Sequence, residues 1–424
     1  MAFFSNRDTD ESDDSDGDTL APEEIASDAT TWRARAADLI PGGASTGSKR
    51  PDALYGPETN FGPTHFETAV GCRLISTDGA ELIDCSMALG AVALGYVEPS
   101  VTEAVINVAR AGNVTGLSHT LEVEIAERLT AVIPCAEQVR FLKTGAEAIA
   151  AAVRIARAHT GRSHVIGCGY FGWLGWWKAA AGLPAGAHSD FEAIAFDDAD
   201  ALYEAAKRSK SDLAAIVIEP VIERLPSEEW INVARRACDD YGAVLIFDEI
   251  KTGFRLRQGG YQEYSGITPD LSAFGKAMAN GFPLAAVVGK RGVMDAARST
   301  WISSTLASEG CALAAAGAVL DWHERAEVSE ALWSIGGDLV SAVTRAITAS
   351  RVNGVSVDGI APMWFLRFED ASRESRFLEL ALREGVLFKR GAYNFASLAH
   401  DDDTIAAIEG AASAAFVALR EEAP

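Results

Sequence analysis

A short apolar run, Ala243-Val244-Leu245-Ile246-Phe247, ends in two acids, Asp248 and Glu249, followed by Ile250. In open α/β sheets ligands bind beyond the carboxyl ends of the strands, so Asp248 stands where a site belongs. An acid there also caps turns, and its position alone leaves both roles open. Further along, Lys276 lies alone in Ser272-Ala273-Phe274-Gly275-Lys276-Ala277-Met278, with glycine or apolar neighbours. Burial disfavours the ammonium form and lowers a lysine pKa, which suits the amine to form a Schiff base with a carbonyl compound. A third piece is Lys143-Thr144-Gly145-Ala146-Glu147-Ala148. Thr144 and Glu147 fit a capping box at a helix start. Gly145 lets a ligand approach, and the free N–H groups of that first turn suit a phosphate. A capped helix start by itself needs no ligand. The fourth piece, Gly167-Cys168-Gly169-Tyr170-Phe171-Gly172-Trp173, is a strand that ends in glycine and then presents aromatic rings. Those rings offer a flat wall for a planar group or simply pack in the core.

Together these pieces match one cofactor, pyridoxal 5'-phosphate (PLP). PLP needs a lysine for its Schiff base and a carboxylate that keeps its pyridine nitrogen protonated, so that the ring acts as an electron sink. Two unit charges about 3 Å apart interact by roughly 5 kcal/mol at an effective dielectric near 20, enough to hold that proton.

The elements that must position these residues are legible in the same stretch. Val165–Gly167, Ala215–Ile218, Ala243–Phe247 and Ala285–Val288 read as buried strands. Helical patterns over 121–131, 146–160, 198–209 and 228–240 alternate with them. That alternation predicts an α/β fold with a mostly parallel central sheet and helices on both faces. Asp78-Gly79 reads as a hairpin turn between Cys72–Ile75 and Glu81–Asp84. Past Cys311 come an Ala-rich helix, a second helix near 328–350, strands near 363–368 and closing helices. The expected organisation is a tail over 1–28, a segment 29–85 joining a small lobe, a large domain 86–310 and a C-terminal domain 311–424. The small lobe is α+β and built from both termini.

The 424 residues include 60 acids against 37 basic side chains, a formal charge of -23. Nucleic acid and anionic membrane need a cationic face, so neither is a partner. Residues 8–28 carry ten of the acids and no Lys or Arg. Such a segment cannot bury enough apolar surface to offset ordering, which predicts a disordered tail. Six scattered cysteines (Cys72, Cys85, Cys135, Cys168, Cys238, Cys311) form no CxxC pair. They predict no metal site and read as reduced core residues of a cytoplasmic protein. No apolar run is long enough to span a membrane, and no signal-peptide core follows Met1.

The chain resembles the class III aminotransferases of PLP fold type I, and within them the glutamate-1-semialdehyde aminomutase-like branch. The pieces that carry the likeness are Ile40-Pro41-Gly42-Gly43, Thr144–Ala148, Gly169–Gly172, Ile218-Glu219-Pro220, Phe247–Arg255, Phe274-Gly275-Lys276 and Ser397-Leu398-Ala399-His400. They run in family order over roughly 30–420. The resemblance implies that Lys276 holds PLP and shuttles a proton, and that Asp248 pairs with the pyridine nitrogen. Ile250 packs on one ring face and Tyr170, with Phe171 beside it, on the other. Thr144, Gly145 and Ala146 bind the phosphate, and Glu219 lies near the ring hydroxyl. Thr305 crosses to the phosphate of a second subunit, making a homodimer the working unit.

Some positions depart from the family pattern. Ala146 stands where a hydroxyl residue is common, Phe171 where His is usual, and Leu89 where an aromatic lines the pocket. Ser308-Glu309-Gly310 replaces the usual small residue-Asn-Pro. Lys49 or Arg50, and at the other end Lys389 or Arg390, are candidate partners for a substrate carboxylate; solvated pairs fit the sequence equally. Trp176 and Trp177 read as packing residues. The implied activity is transfer of an amino group from a donor to an aldehyde or ketone. An intramolecular aminomutase using the same parts is the alternative, and a non-catalytic PLP-binding protein is disfavoured by the presence of both Lys276 and Asp248.

Overall fold

The computed structural model describes residues 22–57 and 59–422. Its strands, in chain order, begin with β1 (Phe66–Val70), β2 (Arg73–Ser76) and β3 (Glu81–Asp84). The middle of the chain supplies β4 (Gln138–Leu142), β5 (His164–Cys168), β6 (Phe191–Ala193), β7 (Leu213–Ile218), β8 (Val244–Asp248), β9 (Leu271–Phe274) and β10 (Ala285–Gly289). The last are β11 (Val355–Ile360), β12 (Met363–Phe368), β13 (Val386–Leu387) and β14 (Asn394–Phe395).

The central sheet has the order β4-β10-β9-β8-β7-β5-β6. Every pair from β9 to β6 is parallel, while β10 runs antiparallel to both β9 and β4. β7, β8 and β10 are buried along their whole length. Helices cover both faces, which is why these strands read as unbroken apolar runs rather than as alternating ones. The helix Gly145–Thr160 packs on one face with Ile149, Ala152, Val153 and Ala156 buried. The helices Ala199–Ser209 and Glu228–Tyr241 pack on the other, around Leu202, Trp230 and Ala234.

The small lobe is indeed drawn from both ends of the chain. Antiparallel β1, β2 and β3 are joined by the C-terminal β13, which pairs parallel to β3. A second sheet, β11-β12-β14, packs with the helices Val328–Ser350, Ala371–Arg383 and Asp402–Glu421. Two boundaries differ from expectation. The Ala-rich helix Gly310–Arg325 lies along the helices Pro99–Ala111 and Thr120–Val132 and the turn holding Lys276. Its small side chains let it settle against those elements, where the expected boundary at 311 would have set it in the C-terminal lobe. At the other end, the expected tail over 1–28 falls mainly on residues outside those described. Its last part, from Pro22, is already helical within Pro22–Leu39. Counting charge undervalued Pro22-Glu23-Glu24, an ordinary helix start. The six cysteines are unpaired, and all but Cys311 are buried.

Candidate active site

Asp248 is the last residue of β8, the central strand of the seven-stranded sheet. It is buried, and its Oδ1 accepts a hydrogen bond from the Ile250 N–H at 3.1 Å. Burial, with the Glu219 carboxylate nearby, pushes its carboxyl up to about 8, against the pull of Lys276 and Lys251. β9 ends next door at Phe274. Gly275 follows, and Lys276 opens a tight turn with φ +48°. A side chain in the left-handed region costs of order 1–3 kcal/mol, strain that surrounding structure must hold. Part of that hold is Asn280, whose side chain accepts from the N–H groups of Ala93 and Leu94 and donates to the Gly95 carbonyl. Burial, then the Lys251 ammonium, pulls the Lys276 amine down to about 8, while Glu219 and Asp248 oppose. Amine and acid therefore influence each other from the carboxyl ends of adjacent strands, each far from its ordinary proton affinity, the pattern of a chemical site.

Glu249 is buried and accepts from the N–H groups of Tyr261 (2.7 Å) and Gln262 (3.0 Å) and from the Thr252 hydroxyl. Ile250 faces two bare positions: a Cβ built on Gly145 or Gly275 would come within 3.1 Å of its side chain. Lys251 pairs with Glu219 at 2.6 Å. Arg255 is fully buried and donates to the carbonyls of Gly90 (3.1 Å), Ala396 (2.7 Å) and Pro362 (3.3 Å). Its guanidinium sits over the Phe395 ring. Among the described residues it has no carboxylate partner, and burial pulls it down to about 9. One cation thus ties the large domain to the C-terminal lobe and to the turn Met87–Gly90, whose four residues all have φ between +41° and +79°. Arg255→Met would leave the buried carbonyls of Gly90 and Ala396 unsatisfied, while Pro362 keeps the Ala396 N–H. We expect a loss of about 3 kcal/mol or more in urea unfolding, far above what a surface Arg costs.

The helix Gly145–Thr160 starts as its sequence predicts. The Thr144 hydroxyl accepts from the Glu147 N–H, and the Glu147 carboxylate accepts from the Thr144 and Lys143 N–H groups. The N–H groups of Gly145 and Ala146 have no partner among the described residues. Gly172, at φ +82°, lies so close that a Cβ there would strike Ala146. Open donors at the helix start, a bare cradle around Ile250 and the buried acid–amine pair fit a planar phosphorylated cofactor such as PLP.

A class III aminotransferase model matches residues 56–174 and 178–405. The chain belongs to the class III aminotransferases. Members of this family carry out PLP-dependent amino-group transfer, and PLP is the cofactor here. The chain is 30% identical over 386 residues to a 3-aminobutyryl-CoA aminotransferase from Cloacimonas acidaminovorans, covering 88% of this chain and 92% of that one. It is 32% identical over 412 residues to a glutamate-1-semialdehyde 2,1-aminomutase from Ignicoccus hospitalis, covering 87% and 94%. A solved structure, the FumI protein of Sphingopyxis sp. MTA144 in its PLP internal aldimine form, superposes with a TM-score of 0.89 at 28% identity. That match covers 93% of this chain and 97% of FumI.

Within this class III aminotransferase not every expected site residue reaches the cleft. Tyr170 is 67% exposed at the mouth, its N–H donating to Glu219 at 3.2 Å and its ring edge-on to Trp177. Phe171 corrects the expectation. It is 1% exposed and packed among Trp176, Trp177 and Phe191, a core residue under the wall rather than part of it. Chain direction after Gly169 turns one ring out and the next one in. Trp176 and Trp177 pack as read. Thr305 is exposed on the loop after Ile302.

A separate cavity of about 450 Å³ is bounded by Ala88, Leu89, Lys49 and Lys389 within a mainly apolar wall. Arg50 lies outside it, its side chain folded against Gly42. Arg390 also turns away, toward Glu374 at 3.9 Å. Each member of the two cationic pairs points opposite to its neighbour, so one of each faces the cavity. Lys389 is 6% exposed, and among the described residues its ammonium bonds only the Ala53 carbonyl, at 3.0 Å. Sequence reading assigned no role to Arg255, Lys251 or Asn280. The signal was present in Asp248–Arg255, where four ionisable residues fill a segment between buried elements.

Proposed function

We propose that this chain is an aminotransferase in which Lys276 both attaches PLP covalently and moves the protons of the reaction. It takes an amino group from a donor, releasing a carbonyl product, and places that group on an aldehyde or ketone. The observation that carries this reading is the buried Lys276 amine, lowered to about 8, within electrostatic reach of Asp248 at the carboxyl ends of adjacent strands. PLP, when bound, supplies a cationic conjugated ring that withdraws electrons from the substrate carbon. Lys276, uncharged, takes the proton from that carbon and returns one to the adjacent carbon of the cofactor, general acid–base work worth roughly 10²- to 10⁴-fold. Asp248, ionised against the cationic ring, would hold a proton at the ring nitrogen. The free N–H groups of Gly145 and Ala146, with Thr144 closing the capping box, bind the phosphate. Ile250 and Tyr170 would flank the ring, and Glu219 would stand near its hydroxyl. Lys49 and Lys389 bind an acidic group of the substrate beside Leu89.

The working unit is a homodimer in which Thr305 reaches the partner's phosphate site, a reading supported by its exposure. A cytoplasmic location is supported by five buried, unpaired cysteines; no helix among the described residues is long and apolar enough to cross a membrane.

The test is spectroscopic. Purified protein with PLP is mixed with a panel of amino donors, and we expect the visible absorbance to convert to that of the aminated cofactor, with release of a 2-oxo acid or aldehyde. The aminomutase relative supports a second reading, in which an amino-aldehyde isomerises and no external donor is consumed. Failure of every donor together with such isomerisation would favour the mutase.

A further inference from the structure

We propose that Lys251 is a positioning residue that sets the proton affinity of Lys276, and that Glu219 and the Tyr393 ring exist in this site to seat it. The proposal rests on the reading of Lys276 as the reacting amine.

Lys251 follows Ile250 directly, so its backbone is fixed by the same turn that lines the cleft. Its side chain is buried, with the ammonium 2.6 Å from Glu219 Oε1 and 4.1 Å from the centroid of the Tyr393 ring. The second oxygen of Glu219 is taken by the Tyr170 N–H at 3.2 Å. Tyr393 comes from the C-terminal lobe, and its hydroxyl accepts the Glu223 N–H at 2.9 Å. Three separate parts of the chain therefore converge to hold one ammonium: the end of β7, the turn after β8 and the segment before β14. A lysine needed only for solubility would keep its rotamers in water; ordering and burying it costs side-chain entropy and hydration.

The charges that face Lys276 are few. Lys251 and Arg255 oppose its protonation, while Glu219 and Asp248 favour it. Lys251 acts twice in this balance. It repels a proton on Lys276 directly, and it neutralises Glu219, which would otherwise stand as an unpaired anion beside Asp248. Burial pulls the Lys251 ammonium toward neutrality, but Glu219 and Tyr393 outweigh burial and raise it, so Lys251 stays charged when Lys276 does not. The two lysines thus divide labour by environment, one held as a permanent cation and the other as a base.

The test follows covalent capture of PLP by the full-length, cofactor-stripped chain, read as the rate of growth of visible absorbance against pH. Only the uncharged amine attacks an aldehyde, so the midpoint reports Lys276. Lys251→Met should move that midpoint up by about one to two pH units, the size of effect expected when one nearby unit charge is removed at an effective dielectric near 20. Lys251→Arg should restore it. Glu219→Gln, which leaves the Lys251 cation uncompensated, should move it down. Tyr393→Leu, which unseats the cation without removing it, should give a smaller upward shift and serves if Lys251→Met does not fold. A midpoint unchanged in Lys251→Met, with only thermal stability lowered, would mean an ordinary interlobe ion pair and overturns the proposal. So does a Glu219→Gln shift in the same direction as Lys251→Met. If the unmodified chain captures no PLP at any pH, the reading of Lys276 itself fails, a result separable from the other two.

Discussion

Lys276→Ala is expected to abolish covalent capture of PLP and to lower turnover by about 10⁴-fold or more. Lys276 contributes in two ways. A positioned general base contributes roughly 10²- to 10⁴-fold, and the same side chain supplies the covalent attachment whose exchange with an incoming amine avoids building each linkage from solution. No second amine stands ready to substitute. Lys251 is engaged by Glu219 at 2.6 Å. Lys143 is engaged by Glu309 at 2.8 Å. The variant should still bind PLP through the helix start at Gly145 and Ala146 and through Asp248, so equilibrium dialysis would show retained cofactor without the visible band of the linked form. It should also fold well. Ala removes a buried amine held below its ordinary pKa, and its smaller side chain sits no worse at φ +48°. Turnover within tenfold of the parent would remove Lys276 from the chemistry.

Much of this site was legible because the residues that do chemistry are placed by local rules. β7 and β8 are buried on both faces, so their sequences are continuous apolar runs, and the acid that ends β8 marks the edge of the sheet without any knowledge of the rest of the fold. The capping box at Thr144 is local in the same sense, as is the Gly275-Lys276 turn. What stayed hidden depends on which surface a segment meets. Nothing in the sequence of Gly310–Arg325 says that its small residues lie against Pro99–Ala111 instead of the C-terminal lobe. Tyr170 and Phe171 differ in fate because one peptide of chain rotation sends adjacent side chains in opposite directions. The same alternation separates Lys49 from Arg50 and Lys389 from Arg390. Arg255 and Lys251 escaped notice for a third reason. A cation is read as solvent-facing by default, and only the tertiary structure supplies the three carbonyls, or the carboxylate and ring, that make its burial tolerable.

Asp248→Asn should separate the two demands placed on that position. In the holoenzyme we expect kcat to fall by about 10³-fold. The carboxylate and the protonated ring nitrogen form a charge pair worth roughly 5 kcal/mol at about 3 Å and an effective dielectric near 20, and each 1.36 kcal/mol is a tenfold change in rate. Asn keeps the shape but carries no charge, so it cannot hold a proton on the nitrogen. In the cofactor-free protein the sign reverses. Burial raises the Asp248 carboxyl from its ordinary value near 4 to about 8, so the folded chain binds this proton more tightly than the unfolded chain does. Its contribution to stability is then greatest in acid and falls as pH rises from about 4 to about 8. Asn, neutral throughout, escapes that loss. Thermal melting of the cofactor-free proteins at pH 8 should therefore place Asp248→Asn above the parent, with the gap closing toward pH 4. PLP should stabilise the parent more than the variant. A variant less stable than the parent without cofactor would mean that Asp248 is held ionised by partners other than the ring, and that its buried charge serves the fold before it serves catalysis.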